Sequence, residues 1–354
     1  MTIGQSTHCD LSLIVPVYNA EASLPTLLDD LKLFPATRVQ IVLTNDGSRD
    51  NSLTLCRAFE AERDNVVVIN QPNAGVSVAR NAAMAKAVGS YTGFCDSDDR
   101  IDAEALLSVL DKLQVIGGDM AVFNHLTVDK SSGRILRGSS LEQHDFVFAE
   151  DFPLLYKALC FNQVWNKVYK TDFLRRHQIS FEPGIAPGQD FRFNMDAIIH
   201  LDHGLICDDR AYRYMVGQSE SVTTSYSPVQ FSYFVYGLGR VEQLMRDRGI
   251  YSDTFMATQW ARALINSAAN IAKKGGPSSP MAAFRDFKAD AHEARRHTDL
   301  SKAMPYQRGY KLRILTRLLR NKNDAVVFFI FFVQLRVKEK IRKYLNERIE
   351  LDQG

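Results

Sequence analysis

The five cysteines of this 354-residue chain, Cys9, Cys56, Cys95, Cys160 and Cys207, are odd in number and follow no paired spacing. Neither a disulfide framework nor a zinc site fits them, and they are expected as small buried hydrophobes in a reducing compartment. Long apolar runs are missing too: the closest, Ala325 to Val333, is less than half of the ~20 residues that a membrane-spanning helix needs. Met1 to Asp10 is polar and lacks the basic start and apolar stretch of a signal peptide, so a cytoplasmic location is expected. The formal net charge is only +2, which gives no global electrostatic case for nucleic acid as a partner. No glycine follows the first apolar run, which argues against the glycine-rich phosphate loop of a nucleotidyltransferase.

What is present is alternation. Apolar runs of strand length, Leu11 to Val17, Val39 to Leu43, Val66 to Ile69, Tyr91 to Cys95 and Met120 to Phe123, are separated by amphipathic stretches of helix length. Those stretches centre on Ala22 to Leu33, Ser52 to Arg63, Val76 to Val88 and Ala103 to Ile116. The pattern predicts an α/β fold, a Rossmann-like, mostly parallel sheet flanked by helices. Asp129 to Gly133 reads as a hairpin turn, the segment from Asp151 to Val216 is mixed, and from about Val229 the pattern turns helical. Two domains are expected, residues 1–220 and a helical C-terminal region over 221–354.

Ligands of such sheets bind beyond the carboxyl ends of the strands. Polar turns gather there: Pro16-Val17-Tyr18-Asn19, Asn45-Asp46-Gly47-Ser48, Gln71-Pro72-Asn73-Ala74-Gly75 and Asp96-Ser97-Asp98-Asp99. Each turn alone is ordinary turn chemistry, and their repetition at one edge is what favours a site. Three carboxylates within four residues repel one another unless a cation sits among them. Mg²⁺ is usually held by one or two carboxylates plus substrate phosphates, so the last cluster points to a divalent metal and a phosphate-bearing ligand. The same residues also suit a capping turn ahead of the helix that starts at Ala103, and the tetrapeptide alone leaves both readings open.

The turns, in their order and spacing, together with Val76-Ser77-Val78-Ala79-Arg80-Asn81, Trp165-Asn166-Lys167 and Gly188-Gln189-Asp190, resemble family 2 glycosyltransferases of GT-A fold over roughly the first two-thirds of the chain. The resemblance implies inverting transfer of a sugar from a nucleotide-diphosphate donor, a UDP-sugar, to a hydroxyl of a glycan or lipid-linked acceptor in surface polysaccharide synthesis. Pro16, Tyr18 and Asn19 would then border the base and ribose, Asp46 would accept a hydrogen bond from the base, and Asn73 and Ser97 would line the donor site. Arg80 would stand near the diphosphate. Asp98 would ligate Mn²⁺ or Mg²⁺, with Asp96 facing ribose or metal and Asp99 as a second ligand. Asp190 takes the position of the catalytic base, with Trp165, Lys167 and Gln189 on the acceptor side. Members commonly read Glu-Asp where this chain has Gln189-Asp190, so an inactive nucleotide-sugar-binding scaffold of the same fold is the alternative.

The chemistry has its own logic. A metal at Asp98 would neutralise the charge growing on a departing diphosphate. On the opposite face the acceptor hydroxyl needs a carboxylate to take its proton, general-base work contributing roughly 10²–10⁴-fold. From spacing alone Asp190 equally suits a helix N-cap, Asp46 a turn-forming role, Trp165 a core anchor and Lys167 a solvated surface position. His292 and His297, five apart, fall about 140° around a helix axis and do not form a zinc pair; His200 and His203 lack further ligands nearby. From Lys302 to Arg348 basic residues outnumber acids several-fold and interleave with apolar ones at helical spacing, as in Tyr310, Ile314, Leu315 and Leu318, then Ile341, Tyr344, Leu345 and Arg348. That pattern fits a helix pair on an anionic membrane face, a peripheral contact suited to a lipid-carried acceptor, or a helical subdomain with a solvated basic face.

Overall fold

The computed structural model describes residues 9–185, 188–217, 226–273, 276–277, 279–304 and 310–333. The chain divides into two compact units, residues 1–218 and 219–354. In the first, strands β1 (Leu11–Val17), β2 (Val39–Asp46), β3 (Val66–Gln71) and β4 (Tyr91–Phe94) alternate with helices α1 (Leu24–Leu31), α2 (Ser52–Glu62) and α3 (Val76–Met84). There follow β5 (Arg100–Ile101), α4 (Ala103–Ile116), β6 (Met120–Asp129), β7 (Ile135–Gly138), β8 (His144–Asp145) and α5 (Phe148–Lys157). The unit ends with β9 (Lys167–Lys170), α6 (Thr171–Arg176), α7 (Gln189–His200) and β10 (Gly204–Val216).

One sheet carries all ten strands, in the order β3-β2-β1-β4-β9-β6-β10-β5, with β7 on β6 and β8 on β10. β1 to β4 run parallel, and β6 and β10 run parallel to each other; β9 is antiparallel to both β4 and β6. Every residue of β1 and β2 is buried, which is what a parallel sheet covered on both faces requires of its central strands. The α/β fold with its mostly parallel sheet is therefore as the alternation indicated. Asp129–Gly133 does form the hairpin between β6 and β7, the Asp129 carboxylate accepting from the backbone N–H groups of Ser131 and Ser132 at 3.1 and 2.8 Å.

Register lines up the functional edge. Val17 pairs with Asn45 and Asp46 with Gln71, so the turns after β1, β2 and β3 begin side by side. β4 stops at Phe94 opposite Ile14, and only the Cys95 N–H bond to the Ile14 carbonyl (2.9 Å) continues its ladder. The carboxylate segment thus leaves the sheet before β1 ends. Its backbone is tied to the β1–α1 turn by the Ser23 hydroxyl, which donates to the Ser97 carbonyl at 3.1 Å.

Among the described residues of the second unit lie α8 (Gln230–Asp247), α9 (Asp253–Ile271), α10 (Pro280–His297) and α11 (Tyr310–Arg320), followed by a helix over 324–333. Ser252 and Ser279 cap α9 and α10 with their hydroxyls, and Phe284 and Phe287 of α10 pack on Phe328 at 5.4 and 5.9 Å between ring centroids. Ile341, Tyr344, Leu345 and Arg348 lie outside the described residues. All five cysteines are free and buried, as expected.

Gly47 is where the edge tolerates least. Its φ is +70°, and a Cβ there would stand 2.6 Å from the backbone nitrogen of Asn73. Left-handed backbone costs a side-chain-bearing residue roughly 1–2 kcal/mol before any clash is counted. Gly47→Ala is therefore expected to destabilise the first unit by about 2 kcal/mol or more, measured as a lowered urea midpoint.

Candidate active site

The turn after β1 is held open by side chains rather than by a regular backbone ladder. Asn19 adopts a positive φ of 48°, a conformation that asparagine tolerates better than most residues. Its N–H donates to the Ser48 hydroxyl (3.0 Å) and its side-chain oxygen accepts from the Arg49 N–H (2.8 Å). Ala20 and Glu21 are fastened in the same way to Ser52 and Asp50. Tyr18 is left with nearly half of its surface exposed at the rim, the position expected of a ring bordering a bound base.

Asp46 is buried and does structural work. One carboxylate oxygen accepts from the Gln71 side chain (2.7 Å) and the Ala74 N–H (2.9 Å), and the other from the Gly75 N–H (2.8 Å). Asn73 returns the tie by donating to the Asp46 carbonyl at 2.9 Å. A carboxylate offers about four acceptor sites, so one remains on the second oxygen for a ligand. Turn formation and ligand recognition are compatible here, but the turn that Asp46 builds is the neighbouring one, after β3.

The three carboxylates of the 96–99 segment have diverged in role. Asp98 is exposed; partial desolvation and, after it, the charge of Asp96 push its carboxyl above the ordinary value. Asp96 accepts from an Arg80 terminal nitrogen at 2.8 Å. Asp99 is buried, and its expected role as a second metal ligand is corrected: one oxygen accepts from the Tyr212 hydroxyl (2.7 Å) and the other from the Met215 N–H (2.7 Å). Burial, with Asp96 next, pushes the Asp99 carboxyl up to about 8. The Tyr212 hydroxyl also accepts from the Asp96 N–H at 3.0 Å and so fixes both ends of the segment. Among the described residues no three His, Cys, Asp or Glu side chains are arranged to hold a metal by themselves. One exposed carboxylate fits an ion that takes the rest of its ligands from phosphates and water.

Arg80 joins this edge to Asp190. It is 3 % exposed, donates to Asp96 and, at 2.7 Å, to Asp190, and lies over the Phe181 ring at 5.1 Å. Burial works against its charge, and the two carboxylates outweigh burial. Arg80, expected near the diphosphate, gives its charge to two side chains, Asp96 and Asp190. Asp190 is the second residue of α7, whose N-cap is Gly188 at φ +107°, so it is not the cap. Burial pushes its carboxyl above the ordinary value, Arg80 pulls it back, and Asp96 adds to the rise. Gln189 beside it carries a buried side-chain oxygen with no partner among the described residues.

Two acceptor-side expectations are corrected. Trp165 is no open platform: it is 7 % exposed, stacked on Tyr212 at 4.3 Å and on Tyr214 at 5.6 Å, with His125 edge-on at 4.8 Å. Lys167 is not a surface lysine. Its ammonium is buried and donates to the carbonyls of Cys160 and Gln163 and to the Asn166 side chain, and desolvation lowers its pKa to about 7. It pins the loop over 160–163 rather than meeting a ligand. The residues that pattern reading missed, Tyr212 and Tyr214, alternate with Arg213 along β10. Period-two spacing puts both rings on one face of the strand.

Removing Arg80 leaves Asp96 and Asp190 facing each other without a cation. Breaking a buried pair by deleting one partner is costly, and with Asp96 partly exposed the loss in Arg80→Met is expected near the low end, about 3 kcal/mol. The sign with pH follows from linkage. Without Arg80 the folded-state pKa of the Asp190 carboxyl rises further above its unfolded value, so the native state favours the protonated form. The deficit relative to the parent chain should be largest at pH 7–8 and shrink towards pH 4, as read by thermal unfolding across that range.

The family model described as "Glycosyl transferase family 2" matches residues 12–177. The glycosyltransferase GlyA of Streptococcus pneumoniae is 30% identical over 228 residues, covering 60% of this chain and 32% of that protein. The poly(ribitol-phosphate) beta-glucosyltransferase of Bacillus spizizenii is 28% identical over 229 residues, covering 63% of this chain and 35% of that protein. The chain thus spans about a third of the length of these curated relatives. The crystal structure of S. aureus TarS 1–349 in complex with UDP-GlcNAc superposes with a TM-score of 0.69 at 21% identity, over 93% of this chain and 92% of that one. Motifs, family model and sheet agree: residues 12–177 of this chain match glycosyl transferase family 2, and the N-terminal unit has the GT-A fold.

Proposed function

We propose that this chain is an inverting glycosyltransferase that moves a sugar from a UDP-sugar to a hydroxyl of a glycan or lipid-linked acceptor in surface polysaccharide synthesis. The observation that carries the reading is the Arg80 bridge, which holds Asp190 and the 96–99 segment at one place although Arg80 and Asp190 are 110 residues apart. Tyr18 flanks the base and the free acceptor site of Asp46 receives a base N–H. Asp98 would hold Mn²⁺ or Mg²⁺ together with the donor's phosphates, and that ion would supply charge neutralisation to the leaving diphosphate. Asp190 takes the proton of the attacking hydroxyl. Its raised pKa makes it a stronger base than an ordinary aspartate, and Arg80 keeps enough of it ionised near neutrality. The relatives whose names specify poly(ribitol-phosphate) support a polyol-phosphate or similar surface polymer as acceptor.

The test combines binding with turnover. UDP with Mn²⁺ should raise the unfolding temperature of the parent chain and of Asp190→Asn alike, since a ligand bound only by the folded state stabilises it. Asp98→Ala should lose the Mn²⁺-dependent part of that shift. Asp190→Asn should lose transfer by roughly 10²–10⁴-fold; full transfer by this variant would remove Asp190 as the base. Because the base must be ionised, the acid limb of the rate against pH should lie above the ordinary aspartate range.

We also propose peripheral contact with the inner face of the cell membrane through the last described helices. Ile314, Val326, Phe329 and Val333 are exposed there, beside the exposed Arg313, Arg317 and Arg320. No described helix is long and apolar enough to cross a membrane. Apolar wedges beside arginines suit an anionic surface. Flotation with phosphatidylglycerol liposomes should recover the full chain and lose the double variant Phe329→Glu, Val333→Glu; equal recovery would exclude this face.

A further inference from the structure

β9 places two polar side chains where the interior of a sheet ordinarily holds apolar ones. Lys167 and Tyr169 stand two apart, so they share one face of the strand, and they are only 1 % and 0 % exposed. Polar groups buried this deeply are costly unless their hydrogen-bonding capacity is met. An ammonium has three donors, and Lys167 uses all three, on the Cys160 carbonyl, the Gln163 carbonyl (2.8 Å) and the Asn166 side-chain oxygen (2.6 Å). The Tyr169 hydroxyl donates to the side-chain oxygen of Asn194, in the second turn of α7.

The two side chains meet at one carbonyl. The Asn194 amide donates to the carbonyls of Phe161 and Gln163, both at 3.0 Å, so the Gln163 oxygen accepts from Lys167 and from α7 at once. Both ends of this network reach Asp190. Asn194 follows Asp190 by one helical turn and lies on the same face of α7. The N–H of Val164, next in the chain after Gln163, favours the ionised Asp190 carboxylate, and Lys167 and Asp190 attract each other through space. Arg80 grips the carboxylate itself; the network of β9 and the 160–163 loop grips the helix that carries it.

We propose that Lys167 and Tyr169 are positioning residues that hold Asp190 for proton abstraction, acting through the Gln163 carbonyl and Asn194. The proposal rests on the reading of Asp190 as the general base. The titratable groups facing Lys167 are Asp190 of α7, the Cys160 thiol and His125 of β6; Asp190 also faces Arg80 of α3, Tyr169 and Asp96. Burial pushes the Cys160 thiol up and the His125 imidazole down to about 4, so between about pH 5 and 7 Lys167 is the one cation among its own neighbours on the loop and β6.

The test compares the full parent chain with Lys167→Met and Tyr169→Phe. Each is checked by its unfolding temperature and by its binding of UDP with Mn²⁺, which should be unchanged. Hydrogen exchange read by mass spectrometry should be faster in both variants over residues 160–167 and also over 189–195; a change confined to 160–167 overturns the proposal. With UDP-GlcNAc as donor probe and poly(ribitol phosphate) as acceptor probe, kcat should fall roughly tenfold or more in each variant while KM for the donor stays the same, as a misplaced base requires. In Lys167→Met, which removes a positive charge near Asp190, the acid limb of kcat should also move to higher pH; in Tyr169→Phe, which keeps that charge, it should stay. Undiminished kcat in the folded variants, or an unmoved acid limb in Lys167→Met, overturns the proposal, and Tyr169→Phe decides alone should Lys167→Met not fold. Asp190→Asn separates the two readings. Loss of transfer there, with undiminished kcat in the other two variants, refutes only the positioning roles; full transfer there refutes the base and the positioning roles with it.

Discussion

One guanidinium organises the catalytic edge. Arg80 comes from a helix, Asp96 from the turn after β4 and Asp190 from the start of α7, and these three elements are held to each other at 2.7 and 2.8 Å by a single buried cation. A lysine would hold them less rigidly, because an ammonium is a point charge on a flexible stem, whereas the planar guanidinium aims one terminal nitrogen at each carboxylate. The pair also sets the electrostatics of Asp190. Burial drives Asp190 towards its neutral form and Arg80 drives it towards the carboxylate, a balance that would suit the general base proposed above.

A second constraint is the conversion of polar turns into fixed walls. Turns without a ladder have backbone groups to satisfy, and here side chains of adjacent turns satisfy them: Ser48 and Ser52 for Asn19 and Ala20, Asp46 for Ala74 and Gly75. Each turn is held by its neighbour. The consequence is a rim whose exposed groups, Tyr18, Asn73 and Asp98, stand on backbone that does not need a ligand to become ordered. Preorganisation of this kind reduces the entropy that donor binding would otherwise cost.

The parallel half of the sheet was legible because its strands are buried on both faces and so read as continuous apolar runs between amphipathic helices. β9 and β10 were not. β9 is only Lys-Val-Tyr-Lys, and its lysine ends hide a strand that inserts antiparallel between β4 and β6. β10 carries Asp208, Asp209 and Arg210 in its middle, where the register with β6 shifts, and the charges break the apolar pattern at the irregularity. The site was legible to the same extent. Residue types at the edge named Asp96, Asp98 and Asp190, but spacing cannot distinguish a lysine facing solvent from one whose three donors meet Cys160, Gln163 and Asn166. Trp165 failed for the same reason, its partners Tyr212 and Tyr214 being on the strand that the pattern did not reveal.

That strand explains why three neighbouring aspartates serve different ends. β10 brings the Tyr212 hydroxyl and the Met215 N–H to Asp99, whose two oxygens are thereby occupied inside the fold, while Asp96 turns to Arg80. The negative charge left facing solvent is that of Asp98. Had all three carboxylates been ionised at the rim, their repulsion would also have opposed the approach of a diphosphate, whose own charge has the same sign. Burying one and pairing another leaves a single exposed carboxylate, which under the function proposed above would share a divalent ion with phosphates rather than saturate it. Tyr212, from β10, bonds both Asp96 and Asp99, and Arg80, from α3, ties Asp96 to Asp190, so the segment is held in place from a strand and a helix at once.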